Sequence, residues 1–200
     1  MTRSPIALLT IVLAACASAP RPADGPPAAP PPAAHPASPA APAADVRFVR
    51  DMLAHHAQAL VMTALVPART SRRDIRLLAE RIDVSQHDEI ALMQRWLRRH
   101  GESDVTSEHA GHEPGHSATP AMPGMLSAAE LDALRAAHGA EFDRLFLEGM
   151  IRHHEGALAM VATLLASRGG TSDTEIFRLA ADIDADQRAE IQRMRALLGR

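Results

Sequence analysis

Residues 48–62 read FVRDMLAHHAQALVM, and residues 146–160 read FLEGMIRHHEGALAM. Set side by side without a gap, they share Phe48 with Phe146, Met52 with Met150, His55-His56 with His153-His154, Leu60 with Leu158 and Met62 with Met160. A second matching stretch follows each of them. Ile82-x3-Gln86-x2-Glu89-Ile90-x2-Met93 has the spacing of Ile183-x3-Gln187-x2-Glu190-Ile191-x2-Met194. Internal repetition of this kind is read before any fold assignment. Each half reads as a helix, a turn and a helix, so the chain is expected to be all-α: a four-helix bundle built from two tandem helix-turn-helix repeats.

The helical reading rests on period. At about 100° per residue, Phe48, Met52, His55, Ala59, Met62 and Val66 share one arc of the first helix, with His56 at its edge. Leu78, Ile82, Gln86, Glu89, Ile90, Met93 and Leu97 share an arc of the second. Breakers stand where helices should stop, at Pro67, Gly101 and Gly169-Gly170. Ser127-x2-Glu130 has the form of a capping box opening a short extra helix over about 127–138, with Gly139 breaking the chain before the second His-bearing helix. Ser172 or Asp173 can cap the last helix. No segment alternates with period two, so no sheet is expected.

Polar groups on apolar stripes carry the functional reading. A buried imidazole or carboxylate is costly unless it is paired. Under a structural reading, His55 bonds Glu89 and His153 bonds Glu190, with methionines such as Met93 and Met194 filling core gaps. Under a metal reading, Met52, His55 and His56 lie at i, i+3 and i+4 and converge on one helix surface, with Met62 about two turns on. Met150, His153, His154 and Met160 repeat the set. Neutral imidazole with thioether is a soft donor set that favours Cu(I) over Mg, Ca or Mn. Gln86, Glu89, Gln187 and Glu190 then orient the ligands from behind or serve as structural pairs. If Glu holds the inner histidines, His55 and His153, then His56 and His154 become the better metal contacts.

Residues 101–126 form a polar loop with His109, His112 and His116, ending in Met122-Pro123-Gly124-Met125. These histidines and methionines are possible accessory ligands for capture, against a solvated loop as the plain alternative. A di-iron site is disfavoured, because no Glu-x2-His occurs and each half offers only one inward carboxylate. No nucleophile constellation or phosphate-binding loop is visible, so no enzyme is expected. The 24 acidic and 21 basic residues carry no basic stripe with interleaved aromatics, which argues against nucleic acid.

The N-terminal region places the chain. Met1–Pro5 is a short, positively charged lead, and Ile6–Leu13 is apolar but far below the ~20 residues that span a bilayer. Leu13-Ala14-Ala15-Cys16 resembles a bacterial lipobox, so residues 1–15 read as a lipoprotein signal peptide and Cys16 as the lipidated first residue of an exported, membrane-anchored protein facing the periplasm. Cys16 is the one cysteine, so no intrachain disulfide is possible. Residues 16–44 read as an Ala/Pro-rich tether. The domain is then 45–200, divided into repeat one (45–100), the loop (101–126) and repeat two (127–200).

The repeated Phe-x3-Met-x2-His-His and Gln-x2-Glu-Ile-x2-Met elements, with the Met122–Met125 approach to the second, resemble the bacterial domain-of-unknown-function family numbered 305. That resemblance implies a ferritin-like four-helix bundle, export, frequent anchoring and, for some relatives, copper binding or resistance. The sequence thus points to an exported protein that binds or buffers copper. A structural or interaction module of the cell envelope is the alternative, and a metal-dependent redox enzyme ranks below both.

Overall fold

A computed structural model describes residues 42–102, 122–167 and 173–199. The leader, Cys16, most of the tether and His109, His112 and His116 lie outside the described residues. Four long helices, α1 (Ala43–Thr63), α3 (Arg73–Arg99), α5 (Gly139–Ala166) and α6 (Thr174–Leu198), are joined by two short ones, α2 (Val66–Arg69) and α4 (Ala128–Ala136). Among the described residues there is no strand, and no helix is long and apolar enough to cross a membrane.

Local chemistry sets most of the boundaries. Ser127 caps α4 with its hydroxyl accepting from the Glu130 amide, while the Glu130 carboxylate accepts from the Ser127 amide, the reciprocal pairing expected from the spacing. Ser127 and, across to α5, Arg152 hold the Glu130 carboxyl down to about 2. Asp173 caps α6 by accepting from the Glu175 and Ile176 amides. It also accepts from the indole N–H of buried Trp96 at 3.0 Å, which ties the end of α3 to the start of α6. Two expected boundaries move. The first helix begins inside the expected tether, at Ala43, and it ends at Thr63 rather than at Pro67. Pro67 instead lies in the first turn of α2, where its missing N–H costs nothing.

The long helices close into a ring: α1 packs on α3 and α5, and α6 packs on the same two. Two apolar clusters fix their directions. One joins the end of α1 (Ala59, Met62) to the start of α3 (Ile75–Ile82), the start of α5 (Phe142–Met150) and the end of α6 (Ile191, Met194). The other joins the start of α1 (Val46–Leu53) to the end of α3 (Met93–Leu97), the end of α5 (Ala157–Leu164) and the start of α6 (Ile176–Ile183). Every neighbouring pair is therefore antiparallel. Between the two clusters, each helix contributes the polar residues of the repeats.

Because α3 finishes at one end of the bundle and α5 starts at the other, the chain must travel the bundle's length between them. Part of that crossing is visible as a strap over the seam between α1 and α5. Met122-Pro123-Gly124-Met125 is a type II β-turn, with Gly124 at φ 77° and the Met125 amide donating to the Met122 carbonyl at 3.2 Å. Gln58 then pairs with Leu126 as a strand would, donating to its carbonyl at 2.9 Å and accepting from its amide at 2.7 Å. The end of the expected polar loop is thus a packed element.

Gly156, inside α5, is what lets the strap lie so close. A Cβ there would stand 1.9 Å from the Pro123 carbonyl oxygen and 2.8 Å from Gly124 Cα. Gly149, two turns earlier, would meet only the flexible ends of Leu126 and Met62 at 3.2 and 3.3 Å. Gly156→Ala should therefore destabilise the protein by about 1–3 kcal/mol in urea denaturation despite Ala's better helix propensity. Gly149→Ala should change stability by less than about 1 kcal/mol. Equal effects of the two would show that the strap is not held by backbone contact at Gly156.

Candidate functional site

The layer between the apolar clusters holds His55 and His56 from α1, Gln86 and Glu89 from α3, His153 and His154 from α5, and Gln187 and Glu190 from α6. All eight are buried, the four imidazoles at 0% exposure. Gly and Pro are absent from α1 through the His pair, so two adjacent histidines leave the helix about 100° apart and face different neighbours.

The partners differ from those expected. His56, and not His55, pairs with Glu89, and His154, and not His153, pairs with Glu190, the latter at 2.7 Å. The outer histidine of each pair also lies wholly inside, because α3 and α6 cover the flank of the arc that an isolated helix would leave at its edge. His55 donates through Nε2 to the Pro123 carbonyl at 3.0 Å, and His153 donates through Nε2 to the His55 carbonyl at 2.9 Å. The His55 and His153 rings meet across the α1–α5 seam in a tilted contact, with centroids 3.8 Å apart and planes inclined by 38°.

Two of these bonds settle a tautomer by elimination. A backbone carbonyl can only accept, so in His55 and His153 Nε2 carries the proton. Nδ1 of His55, His56, His153 and His154 has no hydrogen-bond partner among the described residues, and neither have Gln86 Oε1 and both polar atoms of the Gln187 amide. Burial, only partly offset by the bond to Pro123, lowers His55 to about 4. Burial, and then the neighbouring His55, His154 and His56, push His153 well below its usual range. Both of these rings are therefore neutral at pH 7, and each has a bare lone pair at Nδ1.

The methionines of the expected donor sets lie to either side of the layer. Met52 and Met160 pack in one apolar cluster with Met93, and Met62 and Met150 in the other with Met194. The structure thus brings the four histidines into one layer with the methionines in the clusters on either side. It does not gather Met52, His55 and His56 on one surface, since His55 turns to the seam and His56 to α3. Among the described residues no three His, Cys, Asp or Glu side chains group as a ready metal cage. Met122 and Met125 are half-buried in the strap. Sequence reasoning missed the strap's role, although a glycine in a helix interior and a Pro-Gly pair were signals of close backbone approach.

Comparison with known proteins places this arrangement in a family. The profile of the domain of unknown function DUF305 matches residues 45–198, and the chain belongs to that family. A DUF305 fragment from Deinococcus radiodurans is 38% identical, with a TM-score of 0.68, covering 80% of this chain and 99% of that one. A DUF305 protein from Streptomyces coelicolor is 30% identical, with a TM-score of 0.66, covering 78% and 91%. The chain is also similar to CopM in its Cu(I)-bound form, at 27% identity and a TM-score of 0.60, covering 76% and 94%. No curated protein matches the chain.

A pH dependence follows from the neutral pair. Because His55 and His153 take up protons less readily folded than unfolded, the unfolded chain binds more protons as pH falls below about 6.5, and stability falls with it. Each should cost the metal-free protein roughly 2 kcal/mol between pH 7 and pH 5, above the range where carboxylates such as Glu130 titrate. Urea midpoints at the two pH values measure this, and His55→Gln with His153→Gln should flatten the difference. A midpoint that does not move in the unmodified protein would contradict the neutral-pair assignment.

Proposed function

We propose that this DUF305 protein is an exported, membrane-anchored metal-binding protein that holds copper, as Cu(I), in the central imidazole layer and so binds or buffers it. The observation that carries the reading is four buried imidazoles in one layer, each with Nε2 engaged and Nδ1 without a partner among the described residues. A buried acceptor left unmatched costs about 1–3 kcal/mol, and a metal ion is one ligand that would relieve it. The Nε2 bonds to Glu89, Glu190 and two backbone carbonyls are of the kind that orients a ligating imidazole and raises its basicity.

The donor chemistry fits. Neutral imidazole needs no deprotonation before it binds, and Met52, Met62, Met150 and Met160 lie in the apolar clusters on either side of the layer. Such a set suits a soft, low-coordinate ion. The similarity to CopM, which has been solved with Cu(I), Cu(II) and Ag, supports the same class of ligand. The leader and Cys16 support export and anchoring, and His109, His112 and His116 would add a weaker capture site.

One observation favours the alternative of a structural module. The His56–Glu89 and His154–Glu190 pairs are complete as buried links between helices and need no metal. A competition titration against a Cu(I)-specific chromophoric chelator separates the readings. The chain should take up Cu(I), and His55→Gln with His153→Gln, which leaves both Glu pairs intact, should lower affinity by tenfold or more, about 1.4 kcal/mol. Saturating Cu(I) at a thousandfold above Kd should stabilise the unmodified chain by about 4 kcal/mol. Uptake unchanged in the double variant would sink the assignment, and a melting temperature indifferent to Cu(I) would favour the structural module.

A further inference from the structure

We propose that the Met122–Met125 turn is a second, thioether site for a soft monovalent cation, and that the buried imidazole layer is loaded through it. The inference rests on the reading of that layer as a metal site. His55 and His153 have no exposed surface, so an ion bound there must pass a covering element. Three sides of the layer are helix packed on helix. Over the α1–α5 seam the cover is the strap, whose Pro123 carbonyl is bonded directly to His55.

The turn sets a methionine at each end of that cover, Met122 before Pro123 and Met125 after Gly124. In a type II turn the first and fourth Cα atoms lie under about 7 Å apart, so Met122 and Met125 begin as neighbours. The Pro123 ring and the positive φ of Gly124 fix the turn, and the pairing of Gln58 with Leu126 fixes where it sits. Both methionines are half-buried whereas the histidines behind them are not exposed at all, so the turn stands between solvent and layer. A thioether is uncharged and polarisable. It binds Cu(I) or Ag(I) while giving little to Mg, Ca or Mn, so a pair of them selects the ion before it reaches nitrogen. If the methionines served only to pack, Leu would serve as well.

The test replaces both, Met122→Leu and Met125→Leu, in the otherwise unmodified chain, and follows transfer of Cu(I) from a chromophoric chelator over time and at equilibrium. Loading should slow by about tenfold or more with equilibrium affinity changed by less than about threefold, because a relay lowers the barrier and not the end state. Loading at the unmodified rate, with affinity intact, would overturn the relay and leave the imidazole site standing. Failure of the unmodified chain to bind Cu(I) at all would overturn both. A second measurement does not depend on the variant folding. In a titration of the unmodified chain with Ag(I), the methyl resonances of Met122 and Met125 should shift once the layer is filled. If neither moves in excess Ag(I), the turn is not a site.

Discussion

The structure is organised around a single difficulty, which is keeping four imidazoles and two carboxylates in the buried centre of a helical bundle. Unpaired, such groups would cost more than a domain of this size can spare. Each ring is therefore matched at one nitrogen, by carboxylate for His56 and His154 and by backbone for His55 and His153. The polar layer splits the core into two apolar clusters, and each cluster draws on all four long helices. A helix could not slide along its neighbours by one turn without parting a His from its Glu, so the layer fixes the register of the bundle while the clusters supply most of its adhesion.

The two halves solve the same problem with one difference. Their His–Glu pairs correspond residue for residue, but Gln58 and Gly156 occupy the same place, two residues after the His pair in each half. Gln58 reaches out and grips the strap at Leu126, while Gly156 withdraws and lets it pass. Only one crossing segment serves two repeats, so it cannot meet both in the same way. His55 bonds the strap and His153 bonds the carbonyl of His55, and that inequality follows from the connection rather than from the repeats.

Much of this was legible in the residues. Period gave the four long helices and the inward set of His, Gln and Glu; the Ser127-x2-Glu130 spacing gave the α4 cap, and Ser172 and Asp173 were both candidates for the α6 cap, of which the structure uses Asp173. The partners within that set were not legible. On a helical wheel His55 lies central and His56 marginal, yet which of them meets Glu89 depends on where α3 and α5 sit around α1, and a wheel has no neighbours. The strap was hidden for a similar reason. Met122–Leu126 has no period of its own, and its position is set by Gln58 and Gly156, distant in sequence. Gly156 was the available clue, since a helix interior tolerates glycine at a cost of about 1 kcal/mol that something must repay.

The separations within the layer carry a consequence for how the chain folds. Each His–Glu pair closes within its own half, across 33 and 36 residues. The joint between halves, His153 to His55, spans 98, and the bonds of His55 and Gln58 to the strap span 68. Short closures lose less chain entropy than long ones, so the two helical hairpins have the earlier claim on forming. The His55–His153 contact and its cover come together only when one finished hairpin docks on the other. By that order of closure the centre of the molecule is the last part to be assembled, and the four rings share one layer only in the finished bundle.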